Sequence, residues 1–170
     1  MVSAAAVDAR ERLVWKALGE VADPEIPAIS VVDLGVIGDV AVDSTRIRVQ
    51  LLPTFVGCPA IDVMRERIEE RVALLGIADR VEVEVSFATP WTSDRITAVG
   101  RERLRASGFA PPPPGDAAEG LDELAVLPIA ECPYCGSRTT TLDSPFGPTL
   151  CRAIYHCADC RQPFEQFKRV

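Results

Sequence analysis

Residues 131–160 read ECPYCGSRTTTLDSPFGPTLCRAIYHCADC. Two Cys-x-x-Cys pairs bound this stretch, Cys132 with Cys135 and Cys157 with Cys160, with 21 residues between them. Two thiolates three positions apart can grip one ion from a tight turn, and a second such pair completes a tetrahedron. Gly136 permits a left-handed residue just after the first pair. Residues 128–170 are too few to bury the apolar surface an independent fold needs, so a metal staple is what such a module requires. The expected result is a β zinc ribbon with short strands over 139–142, 149–155 and 163–167. Two disulfides or an iron–sulfur cluster could use the same four thiolates. His156 adjoins Cys157 and is read as an outward strand residue, with ligation as the alternative. Cys151 is read as a small packing residue, with a free thiol presented by residues 146–149 as the alternative.

Upstream of this module runs PPPPGDAAEGLDEL, residues 111–124. Four consecutive prolines cannot continue a helix or occupy a central strand, and they favour stiff polyproline II. Residues 111–127 also hold four acidic side chains and no basic one. The expected division is therefore an α/β domain over 1–110, a Pro-rich acidic linker over 111–127 and the ribbon over 128–170.

The first segment mixes helical and strand periods. Val7, Leu13, Val14, Ala17, Leu18 and Val21 recur at helical spacing, which predicts a helix over 7–21 that Asp23-Pro24 ends. Alternating apolar residues over 39–52, with Asp43-Ser44 between two runs, predict a β-hairpin. Residues 59–75 carry Ile61, Met64, Ile68, Val72 and Leu75 on one helical face, with Pro59 in the first turn. Val81, Val83, Val85 and Phe87 alternate inward in a third strand over 80–87. A last helix is expected over 93–107, with Ser93 or Asp94 as N-cap. The order α-β-β-α-β-α defines an α+β fold, a small sheet with helices packed on it.

The chain has 170 residues, 48% of them hydrophobic and 25% charged, and a net charge of −7. This balance disfavours binding to nucleic acid or to an anionic membrane surface. No stretch approaches the length of a membrane span. The N-terminal MVSAAAVDARER has no basic start and no long apolar run, so a cytoplasmic location is expected.

Cys58 stands apart from the other five cysteines, in Thr54-Phe55-Val56-Gly57-Cys58-Pro59 between the second strand and the long helix. A helix N-terminus stabilises a thiolate, which suits a metal ligand, a cluster-transfer thiol or a nucleophile. Packing as a buried apolar cysteine is the plain alternative. A cysteine hydrolase lacks support, because His156 is the sole histidine and lies in the other module. One histidine also cannot build the paired Glu-x-x-His motifs of a di-iron oxygenase. No Gly-x-Gly-x-x-Gly follows a strand and no P-loop is present.

Several of these motifs resemble those of a known family. Asp23-Pro24-Glu25-Ile26-Pro27, Asp33-Leu34-Gly35-Val36-Ile37, Thr54 with Gly57-Cys58-Pro59, and Pro90-Trp91-Thr92-Ser93-Asp94 with Ile96-Thr97 are similar to the iron–sulfur assembly domain of SufT-type proteins. The resemblance covers roughly residues 10–109. The tail motifs, Cys132 to Gly136, Phe146 to Ala153, Tyr155 to Cys160 and Pro163 to Lys168, resemble the D-subunit family of bacterial phenylacetyl-CoA epoxidases. Pro148 and Arg152 depart from that pattern, where a small polar residue and a lysine are expected.

The resemblance implies a non-catalytic accessory subunit or maturation factor in aerobic phenylacetate degradation, assisting iron or iron–sulfur insertion. It carries the family's motif cysteine onto Cys58 and its acidic residue onto Asp33, as a transient iron or cluster site. Asp33 as a local turn cap is the alternative. The two motifs should meet at one end of the hairpin, since the start of one strand lies beside the end of its antiparallel partner. Zinc is the expected resident metal, and the ribbon is expected to dock a partner. Expected partners are other epoxidase subunits or iron–sulfur proteins, with a homo-oligomer allowed. A regulatory or nucleic-acid-binding zinc ribbon is the alternative function.

Overall fold

The computed structural model describes residues 4–55, 57–112 and 129–168. They form two compact units. One comprises the chain through Trp91 with Arg95–Gly100, and the other comprises Thr92–Asp94 with the chain from Arg101.

In the first unit, α1 (Ala4–Leu18) buries Val14, Ala17 and Leu18. It ends three residues before the expected limit, and Val21 is buried from the loop beyond. Asp23 then closes a tight turn: its Oδ1 accepts the N–H groups of Glu25 at 2.9 Å and Ile26 at 2.8 Å. β1 (Ile37–Val42) and β2 (Arg46–Leu51) form the expected antiparallel hairpin. Asp43 Oδ1 caps its turn by accepting the Thr45 and Arg46 N–H groups.

α2 (Ile61–Ala73) crosses over to β3 (Arg80–Val85), which pairs parallel with β2 and gives the order β1-β2-β3. Met64, Ile68 and Val72 face the core, which Ile47, Val49, Leu51 and Leu52 fill from the sheet side. Pro59 lies just before the helix, whose N-cap residue is Ala60 and makes no side-chain capping hydrogen bond.

Two expectations about residues 80–107 are corrected. Phe87 does not point inward but is 58% exposed. Strand pairing stops at Leu51 opposite Val85, and β2 runs on into Leu52-Pro53, where proline has no N–H for a ladder. The last helix does not begin at residue 93. Ser93–Arg95 is a single 3-10 turn, and α3 (Ala98–Ala106) starts afterwards. Its cap is neither Ser93 nor Asp94 but Thr97, whose Oγ1 accepts the Gly100 N–H at 2.9 Å.

The second unit holds a four-stranded sheet in the order β4-β7-β6-β5. It is built from β4 (Phe109–Ala110), β5 (Thr140–Ser144), β6 (Arg152–Cys157) and β7 (Pro163–Phe167). β6 begins later than expected because residues 147–152 form a turn, with Gly147 N–H donating to Arg152 O at 2.8 Å. Phe109 and Ala110 pair parallel with Glu165 and Gln166. Residues 101–110, read from sequence as the end of the first domain, therefore lie in the ribbon unit. The linker read over 111–127 lies outside the described residues, apart from Pro111 and Pro112.

Ala110, Ala130, Cys132, Ala153, Tyr155, Cys157 and Phe164 form the ribbon's small core. Tyr155 stacks on Phe164 at 5.7 Å between ring centroids. The buried Arg152 pairs with Glu165 at 3.0 Å and lies 5.6 Å over the Phe109 ring, joining β4 to β6 and β7.

Candidate metal centre

The two Cys-x-x-Cys turns share one backbone pattern. Cys132 N–H donates to Ser137 O and Gly136 N–H to Cys132 O; Cys157 N–H donates to Gln162 O and Arg161 N–H to Cys157 O. Gly136 (φ 73°) and Arg161 (φ 60°) occupy equivalent left-handed positions. Sequence reasoning marked the first because it is glycine and missed the second because it is not. Arg161→Gly should remove the left-handed strain of a side-chain-bearing residue and raise ribbon stability by up to about 1 kcal/mol. Thermal melts of the metal-loaded protein measure this.

All four sulfurs lie within 4.8 Å of one another, and no other group of three or more His, Cys, Asp or Glu ligands clusters in this way among the described residues. Cys132 and Cys160 are 3.6 Å apart, as are Cys135 and Cys157. A tetrahedral ion with metal–sulfur bonds near 2.3 Å requires sulfur–sulfur edges of about 3.8 Å, so the residues fit zinc.

The thiols cannot all ionise unaided. The backbone N–H of Cys160, then that of Asp159, with the neighbouring thiols, brings Cys157 down to about 7 despite desolvation. The Ser137 N–H pulls Cys135 down, but desolvation and the thiols of Cys157, Cys160 and Cys132 outweigh it and push it up to about 12. A divalent cation relieves this crowding and holds all four as thiolates. His156, half-buried on β6, is not in the cluster. Cys151 is buried, with Thr149 Oγ1 3.2 Å from its sulfur, as the packing reading expects.

The second candidate region lies at one end of the first sheet. Ile37 pairs with Leu51, and Leu52 N–H donates to Val36 O at 2.7 Å. The chain segment holding Asp33 enters β1 at this end, and the segment holding Cys58 leaves β2 here. Cys58 is half-buried. Its N–H donates to Phe55 O at 3.3 Å and its carbonyl accepts from Ile61 at 3.4 Å, which places it just ahead of α2. Gly57 (φ 83°) has open space where a Cβ would project.

Asp33 is held on several sides. Oδ2 accepts from Ser30 Oγ at 2.9 Å, Oδ1 accepts from Thr97 Oγ1 at 3.1 Å, and its carbonyl accepts the Thr97 N–H at 3.0 Å. Trp91 Nε1 donates to Leu34 O, and the Arg95 guanidinium donates to Gly35 O and Ile37 O. A Cβ on Gly100 would lie 3.0 Å from the Asp33 carbonyl carbon. Residues of two motifs read separately, Asp33-Leu34-Gly35 on one side and Trp91, Arg95 and Thr97 on the other, thus close on each other. Sequence reasoning missed Ser30, Arg95 and Gly100. The Thr-x-x-Gly spacing at 97–100 was the available signal for the cap.

An assembly-type α/β unit joined to a four-cysteine β ribbon defines the class. The family profile described as "PaaD zinc beta ribbon domain" matches residues 118–168, and "Iron-sulfur cluster assembly protein" matches residues 11–85. The chain is 37% identical over 157 residues to a protein of Escherichia coli (strain K12) described as the putative D subunit of 1,2-phenylacetyl-CoA epoxidase, covering 92% of each. It is 28% identical over 98 residues to "Fe-S protein maturation auxiliary factor YitW" of Bacillus subtilis (strain 168), covering 95% of that protein and 57% of this chain. In fold, residues covering 60% of the chain match 97% of a crystal structure of a DUF59 domain from Bacillus anthracis, with a TM-score of 0.56 and 24% identity. The chain belongs to the family of phenylacetyl-CoA epoxidase D subunits, with an iron–sulfur assembly-type domain and a C-terminal zinc ribbon.

Proposed function

We propose that this chain is a non-catalytic accessory factor of a 1,2-phenylacetyl-CoA epoxidase system, and that it assists iron or iron–sulfur insertion into another component. The observation that carries this reading is one chain holding both modules: an assembly-type domain with a half-buried cysteine at one end of its sheet, and a four-cysteine ribbon. Zinc on Cys132, Cys135, Cys157 and Cys160 would be structural, since four thiolates complete its coordination and leave no open position for chemistry. The ribbon would serve as a stable dock for another epoxidase component or an iron–sulfur protein.

In the same reading Cys58 is the transient thiol, and Asp33 shapes the loop beside it. Ser30 and Thr97 already hydrogen-bond the Asp33 carboxylate, so its contribution to a bound iron would be positioning or charge rather than an unencumbered ligand. No described helix is long and apolar enough to cross a membrane, which is compatible with the expected cytoplasmic setting.

The test is co-expression of the oxygenase and reductase subunits with and without this chain, followed by iron analysis and activity of the purified components. Iron content should fall without it. Cys58→Ala should reproduce the loss of iron while zinc content stays unchanged and stability falls by only about 1 kcal/mol. A zinc-loaded Cys58→Ala variant that supports full iron loading would refute the transfer role.

A further inference from the structure

Residues 51–61 and 85–91 carry no charged side chain, although a quarter of the chain is charged. Both stretches leave the same end of the same sheet. β2 and β3 run parallel with Leu51 opposite Val85, and Ser86 N–H donates to Leu51 O at 2.9 Å. Each stretch exposes a phenylalanine, Phe55 at 41% and Phe87 at 58%. Both stretches are anchored: Thr54 and Trp91 are buried, and the Trp91 indole is hydrogen-bonded to Leu34 O. Between them the backbone turns through Gly57 to the half-buried Cys58. The exposed Leu13, Leu74 and Val99 lie elsewhere, on helices rich in charged residues or, for Leu74, at the C-terminal end of one, where single apolar side chains need no special account.

We propose that this uncharged rim is the docking surface for an apo-protein that accepts iron from Cys58, and that the accepting face is apolar and uncharged around its own cysteine ligands. The inference rests on the transfer reading above and names the partner's chemistry. A charged partner face would lose its hydration against these two stretches and find no counter-charge on either of them, which is costly. An apolar face loses nothing and gains burial of both phenylalanines. The step it would shelter is ligand exchange. A recipient thiol gives up its proton and its sulfur forms a bond to iron. The Cys58 sulfur leaves iron with its electron pair and takes a proton, so no oxidation state changes.

Photocrosslinking tests this. p-Benzoylphenylalanine replaces Phe87 in the full chain, or Leu74 as an exposed control, during co-expression with the epoxidase reductase and oxygenase subunits. The expected result is crosslinking to an iron-binding subunit from position 87 at about ten times the yield from position 74. The yield should drop about tenfold when Phe55→Asp is added, and should persist in Cys58→Ala. Phe55→Ser stands in if Phe55→Asp loses its zinc or its helix signal. Equal yields at 87 and 74, insensitivity to the Phe55 change, or crosslinks only between copies of this chain would overturn the proposal. If crosslinking behaves as expected while Cys58→Ala leaves iron loading intact, the docking surface stands and the transfer reading fails. If iron loading falls in Cys58→Ala but position 87 crosslinks nothing, the reverse holds.

Discussion

Cys132→Ser and Cys157→Ser should each strip zinc from the ribbon and unfold it. Structural zinc on four thiolates supplies on the order of 10 kcal/mol of apparent binding free energy in small modules. Among the described residues the ribbon's core cluster has seven buried members, three of them alanine and two of them Cys132 and Cys157 of the four-cysteine group. Such a core cannot replace the metal. The effect should reach upstream of the first ligand. Phe109 and Ala110 pair only with β7 within this sheet, and the Phe109 ring lies under the Arg152 guanidinium. Amide exchange at β4 should therefore rise to the rate of β5–β7 when zinc is removed, while β1–β3 amides stay protected by their own core. Metal analysis and residue-resolved hydrogen exchange check both statements. Full zinc occupancy in both variants would refute the four-cysteine assignment. Unchanged protection at Phe109 would refute its place in the ribbon.

Gly35→Ala should destabilise the first unit by on the order of 3–5 kcal/mol, a large share of the stability of an ordinary domain. Gly35 has φ 73°, and a Cβ there would lie 2.6 Å from the Arg95 carbonyl carbon and 2.7 Å from its Cβ. Arg95 cannot give way cheaply, because its guanidinium is bound to Gly35 O and Ile37 O. Gly57→Ala is the matched control. Gly57 is also left-handed (φ 83°), but its Cβ position is open. It should cost only the conformational penalty, about 1 kcal/mol. Urea midpoints of the two variants measure the difference. Equal losses would mean that strain alone, and not the packing of one motif on the other, requires glycine at 35.

The four-cysteine cluster was legible in the sequence because its geometry is local. Ligand spacing within each pair sets each turn, and Gly136 marked one of them. Arg161 shows where that legibility stops. The same left-handed turn is closed there by the Arg161 N–H donating to Cys157 O and the Cys157 N–H donating to Gln162 O, and an arginine gives no sign of it. The hairpin and α2 were legible for the same local reason, since their apolar periods persist over several residues. Phe87 misled because alternation continues past the point where β2 stops offering a partner. Ser93 and Asp94 are good caps by type, yet the helix waits for Thr97, whose hydroxyl also serves Asp33.

The sequence alone determined the two modules, their α+β and β-ribbon character, the four cysteines that cluster and the family, because each depends on residue type at short or characteristic spacing. Only the tertiary structure decided which distant pieces share a unit. Phe109 and Ala110 join the ribbon through long-range strand pairing, Asp33 is tied to Thr97 by a hydroxyl 64 positions away, and the uncharged stretches after β2 and β3 reach one end of the sheet because those strands run parallel. Propensity and spacing act over a few residues. Pairing, side-chain satisfaction and exposure are settled only when separate segments compete for the same partners in space.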